Sequence, residues 1–411
     1  MSFSDTIFGK VPDDWTVKKV GEIFELRQGL QISKKKRLCT LQDGYIPLLK
    51  ITDLPTKIFS EFVTDIKQNY IANKEDIVYT RTGNVGLVYT DVEGCIHNNC
   101  FKIIFDNNEF YKYYIYYYLK NEKMNKLSNS IASGSVQKDL PHSTFNMVEI
   151  GYPKIEEQKA IANILSTLDE KIETNNQINK TLEEMAQTIF KQWFVDFEFP
   201  NEDGEPYKSS GGEMVESELG MIPKGWEVGK LDDIAIITMG QSPKGSSYNE
   251  DSDGVVFYQG RTDFTDRFPE KRLYTTEPKR IAQKGNILMS VRAPVGDVNI
   301  ANEECCIGRG LCSLQSKNNM NSYLLYTILK LKEKFNIFNG EGTVFGSINQ
   351  KDLKGIKIIK PTDEISKKFD DTISYLDKQY SVLDKESRNL KNTRDILLPK
   401  LMSGEIRVPL K

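Results

Sequence analysis

An internal repeat constrains this chain more than any other feature, because a fold made twice must place each framework residue twice. VPDDWTVKKVGEIFELRQG (Val11–Gly29) matches IPKGWEVGKLDDIAIITMG (Ile222–Gly240). Trp15 maps to Trp226 at an offset of 211, which Pro12/Pro223, Val17/Val228, Ile23/Ile234 and Gly29/Gly240 share. At an offset of 210 follow Thr52/Thr262, Asp53/Asp263, Lys74/Lys284, Ile77/Ile287, Gly86/Gly296, Tyr116/Tyr326, Leu119/Leu329 and Lys120/Lys330. At 208, Gly134-Ser135-Val136 maps to Gly342-Thr343-Val344, and Pro153 to Pro361. So ordered a series is a duplication.

Within each repeat, a Pro-x-x-Trp turn precedes an alternating strand. EDIVYT and NILMSV read as buried strands that end in glycine-containing loops. FYKYYIYYYLK and SYLLYTILKLKEKF read as helices, and VEIGYP and IKIIKP as closing strands. After each closing proline, apolar positions recur at four- and three-residue steps: Ile161, Leu165, Leu168, Ile172, Leu182, Ala186, Ile189, Trp193. Adding 208 gives Phe369, Ile373, Leu376, Tyr380, Leu390, Arg394, Leu397, Leu401. Such a stripe is a coiled-coil seam, here over about 35–40 residues or roughly 55 Å. Its middle is polar at Asn175 and Asn179, opposite Leu383 and Ser387 in the repeat; register control and a wet or kinked centre are equal readings.

The expected fold class is therefore α+β: two mixed α/β domains in tandem, each followed by a long helix, the helices pairing as an antiparallel coiled coil with pseudo-two-fold symmetry. The expected boundaries are 1–153, a helical region 154–200, a flexible acidic linker 201–221, a second domain 222–361, and a second helical region 362–411. In that arrangement the helices hold the two domains apart at a fixed distance.

Composition serves mainly to exclude. No run of about 18 apolar residues is present, so no membrane span is expected, and MSFSDTIFGKVPDDW is no secretory signal. The six cysteines (Cys39, Cys95, Cys100, Cys305, Cys306, Cys312) form no CxxC pair, and His97 and His142 are the two histidines. Reduced thiols in the cytoplasm and no metal site are expected. The net charge of −3 hides an uneven distribution. The acidic excess lies in 154–221, while 1–153 and 222–361 are neutral to basic, which leaves room for a local DNA face.

LLPKLMSGEIRV (Leu397–Val408) closely resembles the C-terminal end of type I restriction–modification specificity subunits. KQWFVDFEFP (Lys191–Pro200) resembles the segment that closes their central helix, and the Pro-x-x-Trp openings and the TRTGNVG and SVRAPVG loops are similar too. The resemblance covers essentially the whole chain. It implies two target recognition domains, each reading half of a split double-stranded DNA site, and paired helices that act as a ruler and dock two modification subunits. Those partners would methylate adenine from S-adenosylmethionine, and restriction subunits would bring ATP- and Mg-dependent translocation and cleavage. The chain itself would have no catalytic residue and no cofactor. In agreement, it holds no Pro-Pro dipeptide of the kind an amino-methyltransferase motif needs, and Gly240–Gly245 lacks the Gly-Lys-Ser/Thr of a phosphate loop.

On that reading, base edges are read by donor and acceptor side chains on loops, and phosphates by cations. The first-repeat candidates are Gln28, Gln31, Lys34, Lys35, Lys36, Arg37, Arg81, Thr82, Asn84, Ser135, Gln137 and Lys138. The second-repeat candidates are Gln241, Lys244, Gln259, Arg261, Arg292, Thr343, Ser347 and Asn349. Ser33, Ser133, Ser242, Ser246, Thr262 and Phe345 flank them. Thr52, Asp53 and their partners read as turn-formers, and Trp15 and Trp226 as core. The partner-facing candidates are Trp193, Phe194, Phe197, Leu397, Leu398 and Leu401, on the expectation that Ile189–Phe199 and Ile396–Met402 find cover only on another chain. KKKR has no counterpart in the second repeat and RFPEKR none in the first, as two different half-sites require. The alternative is a coiled-coil scaffold that pairs two protein-binding domains without DNA.

Overall fold

The computed structural model describes residues 3–6, 9–134, 137–340 and 346–409, with the backbone alone for 3–6 and 9. It divides into two units, Met1–Asn176 with Lys385–Lys411, and Gln177–Asp384. Each unit therefore owns one globular domain and one end of each long helix.

In the first unit Ile77–Thr80 is buried at every position, as a continuous apolar run predicts for a strand covered on both faces. It is central to an antiparallel sheet in the order Glu25–Gln28, Cys100–Ile104, Ile77–Thr80, Val88–Tyr89, in register Phe101↔Gln28 and Phe101↔Tyr79. A second sheet runs Phe62–Val63, Ile46–Leu49, Gly94–Ile96, Ile71–Ala72, with one parallel pairing, Cys95↔Leu48. The opening strand Thr16–Lys19 closes on Glu149–Tyr152. The second unit repeats the plan. Its first sheet is Ala235–Met239, Leu311–Ser316, Ile287–Ser290, Val298–Ile300, and its second gains a fifth strand, Tyr248–Asn249. Trp15 and Trp226 are both buried to 6% exposure, which places both in the core.

The repeat is longer than the sequence match. Phe3–Thr6 pairs with Gly9–Pro12 from Phe3↔Pro12, and Met214–Ser217 with Gly220–Pro223 from Met214↔Pro223, again an offset of 211. The hairpin occupies part of the expected flexible linker, and the rest is tied down as well. The Asn201 side chain accepts the N–H groups of Asp203 and Glu205 at 3.0 and 2.9 Å, and Tyr207 stacks on Phe199 at 4.6 Å. Gly, Ser and acidic residues suit tight turns as well as loose chain, and here Tyr207, Met214 and Val215 give the segment an apolar anchor.

The long helices are Ile155–Phe194 and Asp363–Met402, of 40 residues each, or about 60 Å. Inside each unit they run antiparallel. In the first, Asp169 meets Arg394 and the Asn175 amide donates to Glu386 at 2.8 Å. In the second, Phe190 packs on Phe369 with ring centroids 5.6 Å apart. Each core takes the start of one helix and the end of the other: Ile161, Leu165, Leu398 and Leu401 in the first unit, Phe369, Ile373, Phe190 and Phe194 in the second. The polar middle is buried, with Asn175 at 0% and Ser387 at 8%.

These cores change the reading of the apolar helix ends. Phe194, Phe197, Leu398 and Leu401 are buried in their own units, so they need no partner chain for cover. Phe194 and Phe197 lie 5.8 and 5.6 Å from the Trp226 ring. Trp193 and Leu397 are half-buried against the same cores. No described helix is long and apolar enough to cross a membrane.

Candidate nucleic-acid interface

Loop one leaves the first sheet at a glycine in both units. A Cβ on Gly29 would lie 2.2 Å from the Ile96 carbonyl oxygen, and one on Gly240 2.2 Å from that of Gly308. Only glycine lets the loop start so close to the neighbouring backbone. In the first unit the loop forms a 3-10 turn over Lys34–Lys36, whose side chains are exposed and make no ion pair with a described residue. Gln31 is exposed too, and Gln28 donates to the Asn98 carbonyl at 3.3 Å. Arg37, next along, turns inward. It donates to Glu61 at 2.8 Å and to the Ile32 carbonyl at 3.0 Å. This bond from Arg37 holds the Glu61 carboxyl below its usual range. Arg37 thus braces the loop from inside, in contrast to the three lysines before it. In the second unit Gln241, Lys244 and Ser246 are exposed, while Ser242 accepts the Arg309 N–H.

Two further loops are stitched together, identically in both units. Gly83 donates to Lys138 and Leu140 to Arg81; Ala293 donates to Gly346 and Ile348 to Val291. An isolated bridge joins Thr82 to Asp139 and, at the repeated position, Arg292 to Ser347. The side chains then diverge. Arg81 is 13% exposed and bonds Asp139 at 2.6 Å, and Thr82 donates to the other Asp139 oxygen at 2.7 Å. Arg292 and Ser347 face solvent, and Arg292 has no acidic partner among the described residues. Asn84 and Gln137 are exposed, and Lys138 bonds Asn129. Asn349 caps the helix Gln350–Lys354 by accepting from Asp352, which makes it a structural residue. Ser135, Thr343 and Phe345 lie outside the described residues.

The remaining loop is built on a repeated buried acid. Asp53 accepts from Thr52 at 2.7 Å and from the Ser60 N–H and hydroxyl at 2.9 and 2.8 Å. Burial opposes its charge, yet these bonds hold its carboxyl below the usual value. Asp263 accepts from the Gln259 N–H and from Arg272, and there burial wins and pushes the carboxyl up. Both acids shape the loop from inside, as turn-formers do. Gln259 and Arg261 lie exposed on it, with Arg261 paired to Asp297 at 2.7 Å and still 55% exposed.

One exposed cation escaped the sequence reading. Arg309 sits beside Ser242 in loop one, and its signal was a lone arginine between Gly308 and Gly310 just after an apolar strand. Among the described residues no cluster of three or more His, Cys, Asp or Glu could hold a metal.

A family model described as the type I restriction modification DNA specificity domain matches this chain twice, over residues 12–184 and 223–392. Among curated proteins, a putative type I restriction enzyme MjaX specificity subunit of Methanocaldococcus jannaschii is 32% identical over 99% of this chain and 97% of its own length. The HindI specificity subunit of Haemophilus influenzae is 26% identical over 81% and 87%. The crystal structure of a type I restriction–modification S subunit from M. genitalium shares the fold, with a TM-score of 0.62 at 18% identity over 96% of this chain and 98% of that one. The chain belongs to the type I restriction–modification specificity family, as a subunit, itself non-catalytic, that determines which DNA target is recognised.

Proposed function

We propose that each unit reads one half of an asymmetric, bipartite double-stranded target, with a spacer of a few unread base pairs and half-sites about one helical turn apart. The observation that carries this reading is a repeated framework whose exposed cations differ in number and position. The first unit exposes Lys34, Lys35 and Lys36 from loop one; the second exposes Arg292 from the stitched loops, Lys244 from loop one, and Arg309 from the Gly308–Gly310 turn beside it. Identical half-sites would need no such difference. Gln31, Asn84, Gln137, Gln241, Gln259 and Ser347 are the candidate base readers, all exposed.

The paired helices serve as the ruler and as the dock for two modification subunits, which methylate adenine from S-adenosylmethionine; restriction subunits with ATP and Mg complete the assembly. Two apolar rows on the helices support docking. Ile164, Ile178 and Met185 are 37–46% exposed at multiples of seven residues, and Tyr375, Val382 and Ile396 are 62–64% exposed, also at multiples of seven. Exposed heptad rows invite further helices. Trp193 and Leu397, half-buried, are the partner candidates that survive from the helix ends.

The test is exchange of residues 1–150 for those of a relative, with the methylated sequence read genome-wide in a host that also expresses the modification subunit. One half of the target should change; a change in both halves, or in neither, sinks the reading. Alanine at Lys34, Lys35 and Lys36 should weaken binding of the complex to all sequences alike and flatten its salt dependence by up to about 0.9 per lysine in the log–log slope.

A further inference from the structure

The two units treat one repeated acid differently. Asp169 and Asp377 are 208 positions apart, each on a long helix at the face of its own domain. In the first unit Asp169 takes Arg394 from the other helix, and the Tyr117 hydroxyl donates to it at 2.8 Å. In the second unit the arginine comes from the domain instead. Arg267 belongs to RFPEKR, the segment with no counterpart in the first repeat. Its side chain is 7% exposed. One arm of its guanidinium meets Glu183 on the first long helix, and the other meets Asp377 on the second. The arm that meets Glu183 also donates to the Tyr326 hydroxyl at 3.2 Å, and the Tyr380 ring lies 4.8 Å from the guanidinium carbon.

From this anchor the chain is braced back to the exposed loop tip. The Arg267 carbonyl accepts from Ile300 at 2.8 Å, and Asn299 bonds Thr265 through both its amide groups. Glu270 donates to the Asp263 carbonyl at 2.8 Å, while the Asp263 carboxylate holds the Gln259 N–H and Arg272. The tip that results carries Gln259 and Arg261. In the first unit the matching loop closes on its own Asp53 and on the Thr90 and Asp91 carbonyls through Lys57.

We propose that Arg267 is a positioning residue for recognition: it fixes the Gln259–Arg272 loop to both long helices, and so sets how the second unit reads its half-site. A buried charge cluster of this kind is a poor source of net stability, because desolvation offsets the attraction. What a planar fork between two carboxylates does supply is direction. This inference rests on the proposal that each unit reads one half-site.

The experiment uses the full chain assembled with its modification subunit. The readout is methylation of duplexes with one substituted base pair in either half of the wild-type target. Arg267→Met should relax discrimination in one half-site by about tenfold or more and leave the other half-site as it was. Asp377→Asn should act in the same direction although it alters no domain residue. A neutral triple variant, Arg267→Met with Glu183→Gln and Asp377→Asn, removes the stranded carboxylates; it should melt near the wild type and still discriminate poorly. Unchanged discrimination in Arg267→Met, equal loss in both half-sites, or recovered discrimination in the triple variant would each overturn the assignment. The reading of one half-site per unit fails separately, in the exchange of residues 1–150.

Discussion

At the stitched loops the two units carry the same backbone and opposite side-chain logic. In the first unit Asp139 gathers Arg81 and Thr82, so the arginine that follows the central strand is folded inward. In the second unit the position of Asp139 is Ser347, that of Thr82 is Arg292, and that of Arg81 is Val291, which is buried. Removal of one acid and a shift of one residue release the arginine to solvent. Loop one shows the reverse: the first unit exposes three consecutive lysines, and the second has no such run. The two units thus distribute their exposed positive charge differently over one scaffold. Phosphate and base contacts can be moved around a recognition domain without disturbing its core.

The largest expected effects test the shared framework. Trp15→Ala and Trp226→Ala should each cost about 3–5 kcal/mol, since both indoles are buried to the same extent. Denaturant unfolding followed separately in the two units should show comparable losses, each confined to its own unit; a tolerated loss at one site would break the equivalence. Next comes the released arginine. Arg292→Ala should cost about 1–3 kcal/mol of discrimination in one half-site without altered melting, whereas Arg81→Ala should lower melting through the orphaned Asp139. If Arg81→Ala were the variant that relaxed specificity, the contrast drawn above would be reversed. The smallest effect concerns the C-terminal tail. Arg407 bonds Asp14 at 3.0 and 2.9 Å and Glu157 at 2.7 and 2.9 Å. Its hydrogen bond holds the Asp14 carboxyl below the ordinary 3.8. An acid whose pKa is lowered by folding stabilises above its unfolded value and stops doing so as pH falls through the folded one. The melting advantage of the wild type over Arg407→Gln should therefore be present at neutral pH and shrink below pH 3.8; a gap unchanged down to pH 2.5 or so would show that the Asp14 pair contributes nothing.

The framework was legible in the chain because it is periodic and local. Offsets of 211, 210 and 208, the Pro-x-x-Trp openings and the four-three seam all correspond to observed elements. What escaped depends on partners remote in sequence. Arg37 and Arg81 look like free cations until Glu61 and Asp139 arrive from 24 and 58 residues away. Arg267 was visible as part of an unmatched segment, but its role needs Glu183 and Asp377, 84 and 110 residues distant. The opening hairpin was missed because Phe3/Met214, Asp5/Glu216 and Thr6/Ser217 share type but not identity. The helix ends looked unpartnered because their cover is remote in sequence: Val11 and Trp15 for Leu398 and Leu401, Trp226 and Phe369 for Phe194.

That last arrangement governs the timing of assembly. Leu398, Leu401 and Met402 complete a core that begins at Val11, and Arg407 closes on Asp14. The second unit lies wholly within 177–384. On the ribosome, the domain made first must therefore wait open for the last segment to emerge, while the domain made second can already be finished. A chain stopped between Asp384 and Leu398 would leave the first unit's core incomplete and the second unit whole.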